Sequence, residues 1–126
     1  MRAIELKYNE FQKELLGLGV SEDRIRDGEK LYKSGKFRVV RGFFDREGKI
    51  VGVQLEVKSR SRDNLTHNVI VGIETVKCTC EDSVYNNEIC SHIICGLKLI
   101  WTIFKTRGEK FPLKKVITKY RSTHKR

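Results

Sequence analysis

The organisation of the chain is decided by the stretch Cys78-Thr-Cys80-Glu-Asp-Ser-Val-Tyr-Asn-Asn-Glu-Ile-Cys90-Ser-His92. Residues i and i+2 of an extended chain lie on the same side, so Cys78 and Cys80 can face one ion. A polar loop of nine residues then returns the chain. Ser91 precedes an apolar run with helical spacing, which places Cys90 and His92 at the start of a helix. Three thiolates and one imidazole are ligands that a structural zinc ion binds tetrahedrally.

Three other roles for these cysteines are open at this point. They are burial as small apolar side chains, disulfide formation, and pairing of one cysteine with His92 as a catalytic nucleophile. A separation of one residue disfavours a disulfide, and a nucleophile needs no further cysteines beside it. We therefore predict one structural Zn²⁺ bound by Cys78, Cys80, Cys90 and His92, with no ligand position left open for a catalytic water.

The pattern C-x-C, nine residues, C-x-H resembles the SWIM-type zinc finger. Residues 26–37 are similar to the segment that often precedes this finger, so the resemblance covers about residues 24 to 104. It implies a zinc-ligand role for the same four residues and for no others. The family is associated with binding DNA or protein, in contexts such as chromatin-remodelling ATPases, transposases and recombination mediators. It does not imply an enzyme.

Length and composition predict one folded intracellular domain. The chain has 126 residues, without an apolar leader segment or a run of about twenty apolar residues. We therefore expect a cytoplasmic protein, associated with the nucleoid if it binds DNA, without a membrane partner or a small-molecule substrate. Charged residues make up 33% of the chain and there is one Met. This composition favours a thermophilic source. The resemblance is accordingly to a small stand-alone archaeal or thermophilic member of the family.

Two amphipathic helices are predicted in an N-terminal helical segment, residues 1–35. Apolar residues recur there at steps of three and four, and glycines follow each stripe. Ser21 is a plausible N-cap for the second helix. The stripes are predicted to be core, with a partner-binding helix as the alternative. The apolar positions are Ile4, Tyr8, Phe11, Leu15 and Leu18 in the first helix, and Ile25, Leu31 and Tyr32 in the second.

Residues 36–106 are predicted to form a SWIM-like zinc-binding ββ(β)α module. Residues 37–44 and 50–57 form a hairpin with Gly48 in its turn, and residues 68–76 form a third antiparallel strand that leads into the cysteines. The intervening loop carries Arg60 and Arg62, which either contact phosphate or are simply solvated. His67 and His124 are assigned to the surface or to local hydrogen bonds.

The helix after the metal ligands is apolar on nearly every side between residues 93 and 104. Since a small sheet covers only one face, either the N-terminal helices cover the rest or the part around Trp101 and Phe104 contacts a partner protein or a second copy. Cys95 lies one turn beyond His92 on the same face. We interpret Cys95 as a buried thiol, with a role as a substitute ligand as the alternative.

Most of the net charge of +10 belongs to the C-terminus, with a basic tail at residues 107–126. Residues 111–120 are predicted to be a short helix or extended segment with one docked apolar side. The tail is either a phosphate-binding surface or a solubilising, partly disordered terminus. The docked residues are Leu113, Val116, Ile117 and Tyr120. The predicted nucleic-acid contacts are Lys105, Arg107, Lys110, Lys114, Lys115, Lys119 and Arg121, together with Arg60 and Arg62.

The sequence as a whole predicts a small α+β domain with N-terminal helices, a three-stranded antiparallel sheet, a zinc-bound loop and a C-terminal core helix. The leading hypothesis is a zinc-stabilised, non-enzymatic module that binds DNA or another nucleic acid through phosphate contacts. The second hypothesis is an adaptor in DNA recombination and repair that pairs with a recombinase-like ATPase through residues 93–104. An enzyme is disfavoured, because no paired carboxylates, phosphate-binding glycine loop or serine nucleophile motif is recognisable.

Overall fold

The computed structural model describes residues 8–58, 65–80 and 88–123. The predictions for Ile4, Arg60, Arg62 and His124 fall outside these residues. The described part of the chain forms an α+β fold, as predicted, with four helices and one four-stranded sheet. The elements are α1 (Glu10–Gly17), α2 (Glu22–Ser34), β1 (Phe37–Phe44), β2 (Ile50–Lys58), β3 (Thr66–Gly72), β4 (Val76–Cys78), α3 (Ser91–Thr106) and α4 (Leu113–Thr123).

The two N-terminal helices begin and end at capping residues. At the start of α1 the Asn9 side chain accepts a hydrogen bond from the Gln12 amide at 2.8 Å, and the Gln12 side chain accepts one from the Asn9 amide at 3.0 Å. This reciprocal capping box fixes the first turn, so Tyr8 precedes the helix and its predicted helical position is wrong. Helix α2 follows Ser21, which occupies the N-cap position as predicted but makes no side-chain capping hydrogen bond. It ends at Gly35, whose φ of 68° favours glycine.

The sheet is antiparallel in the order β1-β2-β3-β4, and its first hairpin is the one predicted. Gly48 adopts a φ of 83° in the turn, and the Gly48 amide donates a hydrogen bond to the Asp45 carbonyl at 3.1 Å. Along β2 the alternating residues Val53, Leu55 and Val57 are buried, whereas the residues between them face the other side. One face of the sheet therefore packs into the core.

The prediction of one continuous third strand over residues 68–76 is wrong. The chain turns after Gly72, whose amide donates a hydrogen bond to the Thr75 carbonyl at 2.8 Å, and β4 then runs back along β3. Cys78 lies opposite Val69 in this pairing, and directly opposed residues share a face of the sheet. The turn therefore places Cys78 on an edge strand, facing the helices.

Helix α3 crosses the buried face of the sheet, in contact with β2, β3 and β4. The approach is close at Gly96, where an added Cβ would lie 3.0 Å from Val71 Cγ2 and 3.3 Å from Leu55 Cδ1. A side chain at Gly96 would push these neighbours back by a few tenths of an ångström, so glycine suits the close approach of α3 to the sheet. No helix in the described part of the chain is long and apolar enough to cross a membrane.

The other sides of α3 are covered by the N-terminal helices. Helix α2 packs along α3, and the Phe11 ring of α1 lies 5.5 Å from the Trp101 ring between centroids. Trp101 is 8% exposed and Phe104 is 6% exposed. Phe104 instead packs against Phe111, with 5.1 Å between ring centroids, and against Arg107. Trp101 and Phe104, the predicted partner-binding residues, are therefore covered by described residues of the same chain, and the N-terminal helices account for the part around Trp101.

Helix α4 is ordered through Thr123 and belongs to the same core, so a disordered terminus does not describe residues 113–123. The Tyr120 hydroxyl donates a hydrogen bond to the Glu88 carbonyl at 3.2 Å. The Arg121 guanidinium donates one to the Leu18 carbonyl, in the turn after α1. The apolar side of α4 is buried as predicted, through Leu113, Val116, Ile117 and Tyr120.

Candidate metal centre

Four metal-binding side chains meet where β4 ends and α3 begins. Cys78 closes β4 and Cys80 follows two residues later, while Cys90 caps α3 and His92 lies in its first turn. One ligand atom from each residue lies within 4.8 Å of the others, and all four residues are at most 9% exposed. The four residues predicted from the spacing are thus brought together, and they can hold one metal ion.

Backbone groups favour the thiolate form of one cysteine in each pair of candidate ligands. The Cys80 amide donates a hydrogen bond to Cys78 Sγ at 3.5 Å, an interaction that favours a thiolate at Cys78. Cys90 has extended backbone angles (φ −86°, ψ 169°) and makes no side-chain capping hydrogen bond. The positive end of the α3 dipole also favours a thiolate at Cys90. The thiols are therefore positioned for coordination rather than for capping.

Crowding of the thiols controls their protonation. The hydrogen bond shared with Cys80 is the largest cause that raises the pKa of Cys78, to about 12. The pKa of Cys90 is raised as well, first by its hydrogen bond with Cys78. A second thiolate in this buried cluster would be repelled by the first, unless a cation lay between them. A metal ion that binds here must therefore displace protons.

The imidazole of His92 supports coordination independently. Both of its ring nitrogens are buried without a hydrogen-bond partner among the described residues. A buried polar atom without a partner is unfavourable, and a bond from one nitrogen to a metal removes part of that cost. The donor set, three sulfurs and one nitrogen, is one that zinc prefers. The residues therefore fit a bound metal ion.

His67 lies beside this cluster, although the sequence assigned it only to the surface or to local hydrogen bonds. Its ring centroid is 4.6 Å from that of His92, with an interplanar angle of 47°. Burial is the main cause that lowers the pKa of His67, and the charge of His92 adds to the effect. Only the register of β3 against β4 brings His67 close to the cysteines, and no local pattern in the sequence indicates that pairing.

Cys95 is fully buried and is not a member of the cluster. Burial is the largest cause that raises its pKa to about 12, so its thiol stays protonated. The interpretation of Cys95 as a buried thiol agrees with this environment.

Several of the predicted nucleic-acid contacts that the structure describes are engaged within the fold, among them Arg107, Arg121 and Lys105. Arg107 donates a hydrogen bond to the Ile50 carbonyl at 2.7 Å and lies 4.2 Å from the centroid of the Phe104 ring. Arg121 is bonded to the turn after α1, as described above. Lys105 lies 3.4 Å from a Glu10 carboxylate oxygen and 4.9 Å from the Trp101 ring centroid. These side chains have intramolecular roles that phosphate binding would disturb.

The other predicted basic residues in this part of the chain are exposed. Lys110 precedes α4, and Lys114, Lys115 and Lys119 project from the helix itself. Lys77 on β4 lines the same surface hollow as Lys119, although no sequence pattern linked them. We call Lys77, Lys114, Lys115 and Lys119 the α4 basic surface.

Comparison of the chain with models of protein families, with curated proteins and with solved structures found no match in any of the three. Function is therefore inferred from the geometry of the metal centre and from the charge on the surface near it.

Proposed function

We propose that the protein is a zinc-stabilised, non-enzymatic module of the SWIM type that binds nucleic acid, DNA above all, through phosphate contacts. The observation that carries the proposal is the physical link between the metal centre and the α4 basic surface. Tyr120 of α4 donates a hydrogen bond to the carbonyl of Glu88, two residues before the ligand Cys90. The basic helix is thus attached to the segment that the metal would hold.

Zinc has a structural role in this proposal. The four side chains would fill the tetrahedral coordination shell of a bound ion, which would leave no position for a reacting water. A bound ion joins the end of β4 to the start of α3, and this connection supplements the core contacts of a small domain. The ligand spacing, C-x-C and C-x-H, supports the SWIM assignment.

The charge on α4 supports phosphate as the ligand. Apart from Arg121, which is bonded to the Leu18 carbonyl, the helix carries three exposed lysines and no acidic residue in eleven positions. Each phosphate contact releases counterions, so affinity falls steeply as salt increases. Phosphate contacts position a protein without reading bases, and we therefore expect little sequence preference. Because DNA and reduced thiols occur together inside cells, we also propose an intracellular location.

An adaptor role through residues 93–104 is not proposed, because Trp101 and Phe104 are buried by the chain itself. A protein contact elsewhere on the surface is considered in the next subsection.

The proposal is tested by measuring DNA retention over a salt series with the metal-loaded chain. The variant Lys114→Gln/Lys115→Gln removes two charges of the α4 basic surface, and Lys30→Gln/Lys33→Gln removes two charges from equally exposed positions of α2. We expect the α4 variant alone to bind more weakly, with a salt slope smaller by about 2. Equal loss in both variants, or no salt-sensitive retention of the parent chain, would contradict the proposal.

A further inference from the structure

Among the described strands, β1 lies at one edge of the sheet and pairs with β2 alone. An edge strand presents a row of backbone N–H and C=O groups that are free to pair with another chain. β1 has eight residues and contains no proline. Its register against β2 shifts twice, between Val39 and Arg41 and between Phe43 and Phe44. The remaining edge is long enough to receive another strand.

Exposed apolar side chains are concentrated on this strand. Five large apolar residues in the described part of the chain are exposed, and four of them belong to β1. Soluble proteins seldom leave such a cluster uncovered unless it binds something. The exposed fractions are 47% for Val39, 37% for Val40, 37% for Phe43, 63% for Phe44 and 39% for Leu65.

These side chains occupy both faces of the sheet at its edge. Val39 lies opposite Leu55 and so points to the side that carries the helices, whereas Phe43 lies opposite Gly52 on the open side. A Cβ added at Gly52 would lie 3.4 Å from the Phe43 ring, so this ring rests over bare backbone. The hollow beside it has a volume of about 490 Å³. An added strand would therefore find apolar contacts on both faces.

The charge around β1 indicates the character of the partner. Residues 36–49 contain five basic residues and two acidic ones. The Asp45 carboxylate already accepts hydrogen bonds from the amides of Glu47 and Lys49. Arg41 is exposed on the strand itself. An acidic segment is therefore attracted to this edge. Arg38 already pairs with Glu56 at 2.6 Å and Lys49 with Glu109 at 3.2 Å, so the attraction is assigned to Arg41. Antiparallel pairing with a second copy would bring the Arg41 side chains of both chains to one edge, which like-charge repulsion disfavours.

We propose that the free edge of β1 binds an extended, acidic segment of a partner protein, in which apolar residues alternate with Asp or Glu. The segment adds a fifth strand to the described sheet through backbone hydrogen bonds. Its apolar side chains contact Val39 and Phe44, and its acidic side chains lie on the open side of the sheet with Arg41. This interaction uses neither the metal centre nor the α4 basic surface. Nucleic acid and protein can therefore bind at the same time.

The test uses the metal-loaded full chain and a panel of labelled decapeptides in which Val, Ile or Phe alternates with Asp or Glu. Binding is followed by fluorescence anisotropy. The variant Val39→Thr/Phe44→Thr keeps strand propensity and charge, and Leu65→Thr is the control at an exposed apolar position outside β1. We expect about a tenfold weaker Kd for the β1 variant and an unchanged Kd for the control. Peptides with Lys in place of the acidic residues should not bind.

A second measurement reports on strand addition directly. Amide hydrogen exchange of β1 should slow when an acidic peptide is bound, because its edge N–H groups become hydrogen-bonded. Failure of every acidic peptide to bind, or equal binding by the β1 variant, would overturn the proposal. Loss of oligonucleotide binding in the β1 variant would assign the edge to nucleic acid instead. Dimerisation that the β1 variant abolishes would assign it to a second copy.

Discussion

The ammonium nitrogen of Lys98 lies 3.7 Å from a carboxylate oxygen of Glu29, in the interface between α2 and α3. The Glu29 side chain is only 5% exposed, and it also accepts a hydrogen bond from the Asn9 side chain at 3.3 Å. The same ammonium group lies 5.0 Å from the Phe11 ring centroid and 5.2 Å from that of Trp101. One buried ion pair therefore connects α2 and α3 with α1 and the residue that caps it.

We predict that Lys98→Met destabilises the fold by about 3 kcal/mol, because it leaves the Glu29 carboxylate buried without a counter-charge. The double variant Glu29→Gln/Lys98→Met should regain much of this stability. Lys105→Met, which breaks the exposed pair with Glu10, should cost less than about 1 kcal/mol. Urea unfolding of the metal-loaded protein measures all three differences. Equal stability of Lys98→Met and the parent chain would show that the pair is not buried as described.

Helices α2 and α3 are so close at Gly28 that one added methyl group should lower the stability of the fold. A Cβ at Gly28 would lie 2.5 Å from Ile94 Cγ2 and 2.9 Å from the Ser91 carbonyl, so Gly28→Ala forces the helices apart. We expect a loss of about 2 kcal/mol. Because Ser91 stands between two metal ligands, metal affinity should fall as well.

The control for this substitution is Gly17→Ala, where nothing lies within 4 Å of the added carbon. It should raise stability by about 0.5 kcal/mol, as expected for alanine in a helix. Thermal unfolding and a metal-binding titration distinguish the two variants. Gly28→Ala behaving like Gly17→Ala would contradict the close approach of α2 and α3.

Substitution of Cys90 and substitution of Cys95 should have different effects on metal content, although both thiols are buried. We predict that Cys90→Ser loses the bound ion and most of the folding cooperativity, whereas Cys95→Ser retains one ion per chain. Elemental analysis of the purified variants measures the ion, and circular dichroism follows the fold. Loss of the metal in Cys95→Ser would show that the cluster extends along α3.

The same centre should respond to pH in a defined direction. The thiols of Cys78 and Cys90 have raised pKa values without a cation, so metal binding must release their protons. Metal affinity should therefore rise with pH and fall as acid is added. Competition with a chromophoric chelator measures this dependence. An affinity that is independent of pH would exclude thiolate ligands.

A surface ion-pair network gives a second prediction about pH. The Glu109 carboxylate accepts hydrogen bonds from Arg107 at 3.0 Å and from Lys49 at 3.2 Å, which lower its pKa, with Arg107 the larger cause. A carboxyl whose pKa is lowered by folding stabilises the fold above its unfolded pKa and loses this effect as pH falls through the folded pKa.

Glu109→Gln should accordingly lower the urea midpoint at neutral pH, and the difference from the parent chain should shrink in acid. Glu74→Gln, at an exposed position in the turn between β3 and β4, is the control. A difference for Glu109→Gln that does not change with pH would mean that the network contributes no charge interaction.

The features that the sequence predicted depend on local patterns. The spacing of Cys78, Cys80, Cys90 and His92 has few chemical explanations, and the structure brings the four residues together. The hairpin around Gly48 and the buried side of α4 likewise follow from periodicity and turn chemistry over a few residues. The start of α1 was missed, because the apolar stripe continues through Tyr8 while the capping box at Asn9 decides the boundary.

The features that the sequence did not predict depend on contacts between distant segments. The turn after Gly72 interrupts a run that reads as one strand, and the resulting register brings His67 to His92. Lys77 lies beside Lys119 only because β4 and α4 are neighbours. The apolar residues around α3 indicate that the helix is covered on all sides, but they do not indicate which segments cover it. The packing of Phe11 against Trp101 shows that α1 covers one of these sides.

The nine residues between Cys80 and Cys90 join two points that the fold keeps in place. Ile89 is buried, and the Glu88 carbonyl is bonded to Tyr120, so the end of this connection is anchored even before the ligands are considered. The Cys90 end of the candidate metal centre is therefore held by contacts within the protein that do not need the ion.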